Sequence, residues 1–246
     1  MSPVDAGLPE PRAHHALQTP QSPQVLAERF SRALLAARAD APGPDPRPYA
    51  DALLARWDEP QRRYHTTAHL AAVLDHIDAL APHATDADLV RLAAWFHDAI
   101  YLPDRSENEE RSARLAERAL REAGLPDSAT AEVARLVRLT VTHAPEPTDT
   151  NGAVLCDADL AILAAPPTAY AAYAAAVREE YGFVPDDAFR AGRAAVLRQL
   201  LALPALFHTP RAVREWEEAA RTNLAAEIGR LDADPPHSTG THPSPA

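Results

Sequence analysis

The sequence contains no lysine, so all 24 of its basic side chains are arginines. This absence excludes Schiff-base catalysis, which needs a lysine amine, and it excludes the phosphate-binding lysine of a P-loop. The single cysteine, Cys156, excludes an internal disulfide and any metal site built from several cysteines. A catalytic or metal-binding site in this chain must therefore use other types of side chain.

Long apolar runs are also absent. No stretch approaches the ~20 residues that a membrane-crossing helix needs, and the N-terminus lacks the apolar core of a signal peptide. We therefore expect a cytoplasmic protein with no membrane partner. The net charge of −11 repels a nucleic-acid backbone, which argues against a nucleic-acid polymer as partner. It leaves room for a small phosphorylated substrate, and the oligomeric state stays open.

Between its two ends, the chain has the composition of one globular domain. Of its 246 residues, 46% are apolar, which is enough for one sizeable core. Residues 1–24 and 232–246 are rich in proline and small polar residues and have no periodic apolar face. Such segments bury too little surface to offset the entropy of ordering, so we predict two disordered tails around a single domain over residues 25–231.

The apolar residues of this domain recur with the spacing of amphipathic helices, and alternating β-type runs are nearly absent. Asp86 is a predicted N-cap, and the abundance of alanine and leucine favours helix throughout. The sequence therefore predicts an all-α, single-domain bundle of roughly nine helices. They are expected near residues 25–38, 49–57, 70–80, 86–100, 107–123, 129–142, 167–180, 186–203 and 210–231.

Two histidines lie four residues apart in the segment YHTTAHL. This spacing places His65 and His69 on one face of a helix if the helix begins early enough. His69 also precedes Val73 by four residues, which places it on the buried stripe of that helix. The alternative interpretation is a histidine at a helix start followed by an ordinary core histidine.

A histidine and an aspartate are adjacent in the apolar segment WFHDAIY. His97 follows Ala93 by four residues and therefore points towards the core. Asp98 lies beside it, and a carboxylate is costly to bury unless it is paired or bound to a cation. The burial expected for both residues makes this pair a candidate site.

Two aspartates occur in the apolar segment VLCDADL. As an alternative to a functional role, Asp157 is an N-cap and Asp159 lies in the first turn of the helix that follows. Together with the two histidine segments, these acids supply the imidazole and carboxylate ligands of a divalent metal ion. Mn, Fe, Co, Ni, Zn and Mg all remain open, because no thiolate narrows the choice.

The order His69, His97-Asp98 and Asp159 resembles the HD superfamily of metal-dependent phosphohydrolases, which is named for its His-Asp pair. The similarity to a group of predicted HD-type phosphohydrolases extends from about residue 27 to about residue 231. It rests on YHTTAHL, WFHDAIY, ENEERSA, LCDADLAIL, REEYGFVPDDAFRAGR and ARTNLAAE. The substrate of that group is not defined, so the resemblance implies a phosphomonoesterase or nucleotide hydrolase without naming the substrate.

The resemblance also implies roles for individual residues. His69, His97, Asp98 and Asp159 are the expected metal ligands, with Asp157 as the alternative to Asp159. A metal-activated water is the expected nucleophile, and Asp98 belongs to the catalytic set. The segment from His65 to His69 is similar to one in cyclic-nucleotide phosphodiesterases, which suggests His65 as the general acid. His143 is a possible ligand of metal or phosphate, or else a histidine at the end of a helix.

Without lysine, arginine must hold the anionic part of a substrate. Arg62 and Arg63 precede His65 and are the expected substrate-binding residues. Arg193 lies in another segment similar to the family, but an ion pair with Glu179 or Glu180 is an alternative for it. Two other functions remain open: an HD-fold di-iron oxygenase, and a non-catalytic module that binds a nucleotide.

Overall fold

The computed structural model describes residues 21–39 and 42–233. These residues form ten α-helices and two short 3₁₀ segments (Ala81–His83 and Ala161–Ala164), with no strand among them. The predicted all-α class is confirmed. The α-helices are α1 Pro23–Ala37, α2 Arg47–Trp57, α3 Thr67–Leu80, α4 Ala87–Phe96, α5 Asn108–Glu122, α6 Asp127–Leu139, α7 Thr150–Leu160, α8 Pro167–Glu180, α9 Asp186–Ala202 and α10 Pro210–Asp232.

The helix ends follow from local capping. The Asp86 carboxylate accepts the backbone N–H groups of Asp88 and Leu89, so the predicted N-cap of α4 is confirmed. Ser22 caps α1 in the same way, and this helix begins inside the segment predicted as a tail. Of the two predicted tails, residues 1–20 and 234–246 lie outside the described residues.

Helix α4 lies at the centre of the fold. Seven of its ten residues are buried, and its two charged residues, Asp88 and Arg91, pair with each other. It contacts α1, α3, α5, α6 and α7, and its last turn leads directly into the His-Asp pair. The central position of α4 therefore carries this pair into the interior of the protein.

Helices α3 and α7 pack against each other and against α4. Gly152 permits the close approach of α7 to its surroundings, because a Cβ at this position would collide with the Asp149 carboxylate and with Leu139. Helix α7 is the tenth helix, absent from the sequence prediction. Its buried side chains surround the helix instead of forming one stripe, so the 3.6-residue period that reveals the other helices is missing.

Helices α8, α9 and α10 complete the fold on one side of this core. Helix α10 packs against α9 and against the 3₁₀ segment that follows α7, and α8 contacts the same segment. Among the described residues, no single helix is long and apolar enough to cross a membrane. One pair, Thr150–Ala164 with Pro167–Glu180, meets the length and composition requirements together but is bent by 104°.

Candidate metal centre

Three separate helices bring His69, His97 and Asp159 to one place. His69 lies in the first turn of α3, which begins where the Thr66 hydroxyl accepts the Ala68 N–H. His97 is the C-cap of α4, and Asp159 lies in the last turn of α7. Because α3, α4 and α7 pack against one another, these three side chains meet inside the protein.

The ligand atoms of these residues are close to one another. His69 Nε2 lies 3.4 Å from His97 Nε2 and 3.1 Å from Asp159 Oδ1. The distance from His97 Nε2 to Asp159 Oδ1 is 3.4 Å. His69, His97 and Asp159 thus form a group that can hold a metal ion, and we call it the metal cluster.

The spacing within the metal cluster fits a small cation. Ligand atoms about 2.1 Å from a shared cation lie about 3.0 Å apart at a right angle and about 3.4 Å apart at the tetrahedral angle. His97 Nδ1 is 2.8 Å from the Ala94 carbonyl oxygen, to which it donates its proton. This hydrogen bond engages Nδ1 and leaves Nε2 as the ring nitrogen that faces the cluster, as in histidines that bind metals.

Asp98 lies at the edge of the metal cluster. Its Oδ2 is 3.2 Å from His97 Nε2 and 4.0 Å from His69 Nε2. The loop that follows Asp98 is fixed to α5, because Asn108 accepts the Leu102 N–H and donates to the carbonyl of Leu102. Asp98 is therefore held within reach of a cation in the cluster.

The charges around the cluster favour a cation. Burial alone would lower the pKa of His97, but the carboxylates of Asp98 and Asp159 outweigh it and raise this pKa well above its usual value. Burial likewise opposes ionisation of Asp159, yet the positive charge of His97 and a hydrogen bond from His143 hold the pKa of Asp159 well below normal. For His69, burial dominates and lowers the pKa. Two ionised carboxylates beside largely buried imidazoles form a site that attracts positive charge.

His65 lies beside the metal cluster and is held by Glu180. His65 Nδ1 is 2.7 Å from Glu180 Oε2, and His65 Nε2 is 3.9 Å from Asp98 Oδ2. The other oxygen of Glu180 accepts the backbone N–H groups of Arg63, Tyr64 and His65 at 2.8, 2.9 and 3.0 Å. Glu180 thus fixes both the backbone and the ring of His65.

Glu180 is the residue that the sequence analysis missed. Its side chain is fully buried, and the Tyr101 hydroxyl also donates to its Oε2. Burial would raise the pKa of Glu180, but its hydrogen bond and charge interaction with His65 prevail and lower this pKa to about 2. In the sequence, the only signal was its position in the segment REEYGFVPDDAFRAGR, where it stands next to a second glutamate.

His143 contacts the metal cluster through Asp159. It follows the end of α6, and its Nε2 is 2.8 Å from Asp159 Oδ2, the oxygen that faces away from the other two histidines. The backbone of His143 has a φ of 49°, in the left-handed region that residues other than glycine seldom occupy. Such strained residues often occur at functional sites. The structure places His143 as a partner of Asp159.

Asp157 lies outside the metal cluster, and the prediction that it substitutes for Asp159 as a ligand is wrong. Its carboxylate accepts the backbone N–H groups of His208 and Thr209 at 2.8 and 2.7 Å, which fixes the start of α10. The alternative reading as an N-cap is also wrong, because α7 begins at Thr150 and Asp149 caps it. On a helix, residues two apart point in different directions, so Asp157 and Asp159 have different neighbours.

The predicted substrate-binding residues Arg62 and Arg63 do not reach the cavity beside His65. The Arg62 side chain is fully buried, bonds to the carbonyl of His65 and packs on the ring of Trp57, which contradicts a contact with substrate. Arg63 is half exposed and lines a second cavity, which His69 and Asp159 of the metal cluster also line. The remaining predicted pairing is also wrong, because Arg193 is paired with Glu227 rather than with Glu179 or Glu180.

A cavity of about 540 Å³ opens beside the metal cluster. His97, Asp98 and Asp159 line it on the cluster side, together with His65 and His143. The opposite side is mainly apolar and aromatic and comes from α8, α9 and the turn between them; it consists of Val177, Tyr181, Val184, Ala188, Phe189, Gly192, Arg193 and Val196. A small molecule in this cavity would therefore touch the metal cluster and an apolar wall at once.

The chain was compared with protein-family models, with curated proteins and with solved structures, and none of the three comparisons found a match.

Proposed function

We propose that this protein is a metal-dependent hydrolase of a phosphate ester and a member of the HD superfamily. The observation that supports this most is the convergence of His69, His97 and Asp159, of which His97 and Asp159 line an open cavity. These residues come from distant parts of the chain and follow the order of the HD resemblance. Nitrogen and oxygen ligands of this kind suit the divalent ions of phosphoryl-transfer and hydrolytic sites.

In this proposal, the metal cluster holds one divalent ion and Asp98 is the fourth ligand from the protein. A divalent ion supplies a Lewis acid that lowers the pKa of a water molecule and polarises a phosphoryl oxygen. The Asp98 carboxylate lies between His97 and His65, so it is positioned to accept a hydrogen bond from the attacking water.

His65 is the general acid that protonates the leaving oxygen. Glu180 accepts the proton on Nδ1, so in the protonated ring Nε2 carries the second proton on the side of Asp98 and the cavity. The contacts of Glu180 with three backbone N–H groups keep this ring in one orientation. A fixed orientation is what proton transfer to a bound leaving group needs.

The hydrolase is favoured over a di-iron oxygenase by the number of ligands. Among the described residues, one group of histidine and carboxylate side chains has its ligand atoms close enough together to hold a metal ion. The spare histidine, His143, is hydrogen-bonded to Asp159. A di-iron centre needs a second set of ligands, and His143 by itself does not supply it.

A phosphate-release assay tests the proposal. Freshly purified protein is analysed for bound metals, stripped with a chelator, and reloaded separately with each of the candidate divalent ions. Each preparation is then assayed against phosphomonoesters, phosphodiesters and nucleotides. We expect metal-dependent hydrolysis of at least one ester, measured as released phosphate or, for a phosphodiester, as the phosphomonoester and alcohol formed, and no hydrolysis by the stripped protein. If every metal-loaded form leaves all esters intact, the proposed activity is wrong.

A further inference from the structure

The cavity beside the metal cluster is rich in acids for a site that takes an anion. Asp98, Asp159 and Glu109 line it, and a divalent ion balances only two of these negative charges. A phosphate ester adds further negative charge, so a second positive group is needed where it binds. Among the described residues that line this cavity, Arg193 is the one arginine.

One edge of the Arg193 guanidinium is occupied by the protein itself. Nε donates to Glu227 Oε1 at 2.9 Å, and Nη2 donates to Glu227 Oε2 at 3.2 Å and to the Tyr173 hydroxyl at 3.1 Å. Nη1 takes part in none of these bonds. The side chain is 12% exposed and is one of the residues that line the cavity, which leaves Nη1 as the nitrogen that can bind a ligand there.

Glu227 and its neighbours fix the direction of Arg193. Glu227 is buried on α10 and also accepts a hydrogen bond from the Tyr170 hydroxyl, while the Arg193 guanidinium lies 5.2 Å from the centre of the Tyr173 ring. An arginine held on one edge loses little further entropy when its other edge binds an anion. Glu227 is in this sense a positioning residue for Arg193.

We propose that Arg193 binds the anionic phosphate group of the substrate through Nη1, in the role predicted for Arg62 and Arg63. This inference rests on the proposed function for the nature of the substrate. Arg193 and the metal cluster then contact the same phosphate group from two sides of the cavity. Arginine suits this task because its planar group donates hydrogen bonds to phosphate oxygens in fixed directions.

Binding of inorganic phosphate to the metal-loaded protein tests this proposal without turnover. The test variant is Arg193→Gln with Glu227→Gln, because removing both charges leaves no unpaired buried carboxylate. The matched control is Arg198→Gln with Asp232→Asn, an exposed ion pair that joins the same two helices. Calorimetric titration is expected to show phosphate affinity roughly 10- to 100-fold lower in the test variant. Affinity in the control is expected to match the wild type.

Equal phosphate affinity in the test variant and the wild type would overturn the proposal, and so would a wild type that binds no phosphate. The Arg193→Lys variant provides a second test if the double variant does not fold. Lysine keeps the positive charge but lacks the planar set of N–H donors of arginine, so we expect phosphate to bind several-fold more weakly. Unchanged phosphate affinity would overturn the proposal. If no ester is hydrolysed but phosphate binding still depends on Arg193, the proposed activity fails and this inference stands.

Discussion

The two walls of the cavity differ in how they are built. The inner wall, formed by His97, Asp98 and Asp159, comes from the ends of α4 and α7 in the centre of the core. The outer wall, represented by Phe189 and Arg193, comes largely from α9, of whose 17 residues only Ala194 and Leu197 are buried. The cavity thus lies between a deeply packed wall that contains part of the metal cluster and a lightly packed wall opposite it. Close packing of the inner wall preserves the geometry of the ligand atoms.

The largest expected effect comes from the inner wall, in the His97→Ala variant. Loss of this imidazole removes one ligand and leaves Asp98 and Asp159 without the ring between them, so we expect loss of both metal and activity. Elemental analysis and the phosphate-release assay measure the two effects. The His83→Ala variant, altered in the 3₁₀ segment after α3, is the control and is expected to behave as wild type. If folded His97→Ala protein kept its normal metal content, the claim that the inner wall holds the metal would be wrong.

The next largest effect is expected for His65→Gln. This residue lies beside the metal cluster without belonging to it, so the variant is expected to keep its metal. Loss of a general acid typically slows catalysis by about 10²- to 10⁴-fold, and we expect kcat to fall within this range. If excess metal restored the lost kcat, His65 would instead be a metal ligand.

A smaller effect is expected for Glu180→Gln, which keeps the shape of the side chain and removes its charge. We expect kcat to fall by roughly 10- to 100-fold, because His65 loses the partner that orients it. The folded-state pKa of Glu180 is lowered to about 2, so the ionised carboxylate stabilises the fold above its normal pKa. That contribution is lost as the pH falls through about 2. In acid, the wild type is therefore expected to lose unfolding free energy that the Glu180→Gln variant does not have to lose. If the unfolding free energies of the two proteins depended on pH in the same way, this role of Glu180 would be contradicted.

The smallest effect is expected on the outer wall, for Phe189→Ala. Phe189 lines the cavity with its ring centre 6.1 Å from that of Tyr181, so its loss removes one aromatic surface from the substrate side. We expect KM for aromatic phosphate esters to rise about 2- to 10-fold, with kcat and metal content unchanged. Phe183→Ala, which alters a ring that is 61% exposed and does not line the cavity, is the control. If Phe189→Ala lost its metal, metal binding at the inner wall would depend on the outer wall, which contradicts the comparison.

The sequence predicted the inner wall better than the outer wall. His69 and His97 occur on periodic apolar stripes, so their burial followed from local spacing. Helix α7 has no such stripe, which is why the sequence alone did not rank Asp157 against Asp159. Which of the two aspartates faces the metal cluster depends on the start of α10, because the backbone N–H groups there donate hydrogen bonds to Asp157.

Contacts between distant segments explain the other errors. Glu180 lies 115 positions from His65 in the chain, and Arg193 pairs with Glu227 at a separation of 34. No local pattern encodes such pairs, because they depend on how α8, α9 and α10 dock on the core. The choice of Arg62 relied on its proximity to His65 in sequence, whereas the fold turns Arg62 into the interior.

The most direct test of the metal cluster compares two substitutions on one helix, Asp159→Asn and Asp157→Asn. Metal content per chain is measured by elemental analysis of freshly purified, folded protein. Asp157→Asn is expected to keep wild-type metal and to lose about 1–3 kcal/mol of unfolding free energy, because Asp157 secures α10. Asp159→Asn is expected to lose the metal. If Asp159→Asn retains a full complement of metal, or Asp157→Asn loses it while folded, the assigned metal cluster is wrong.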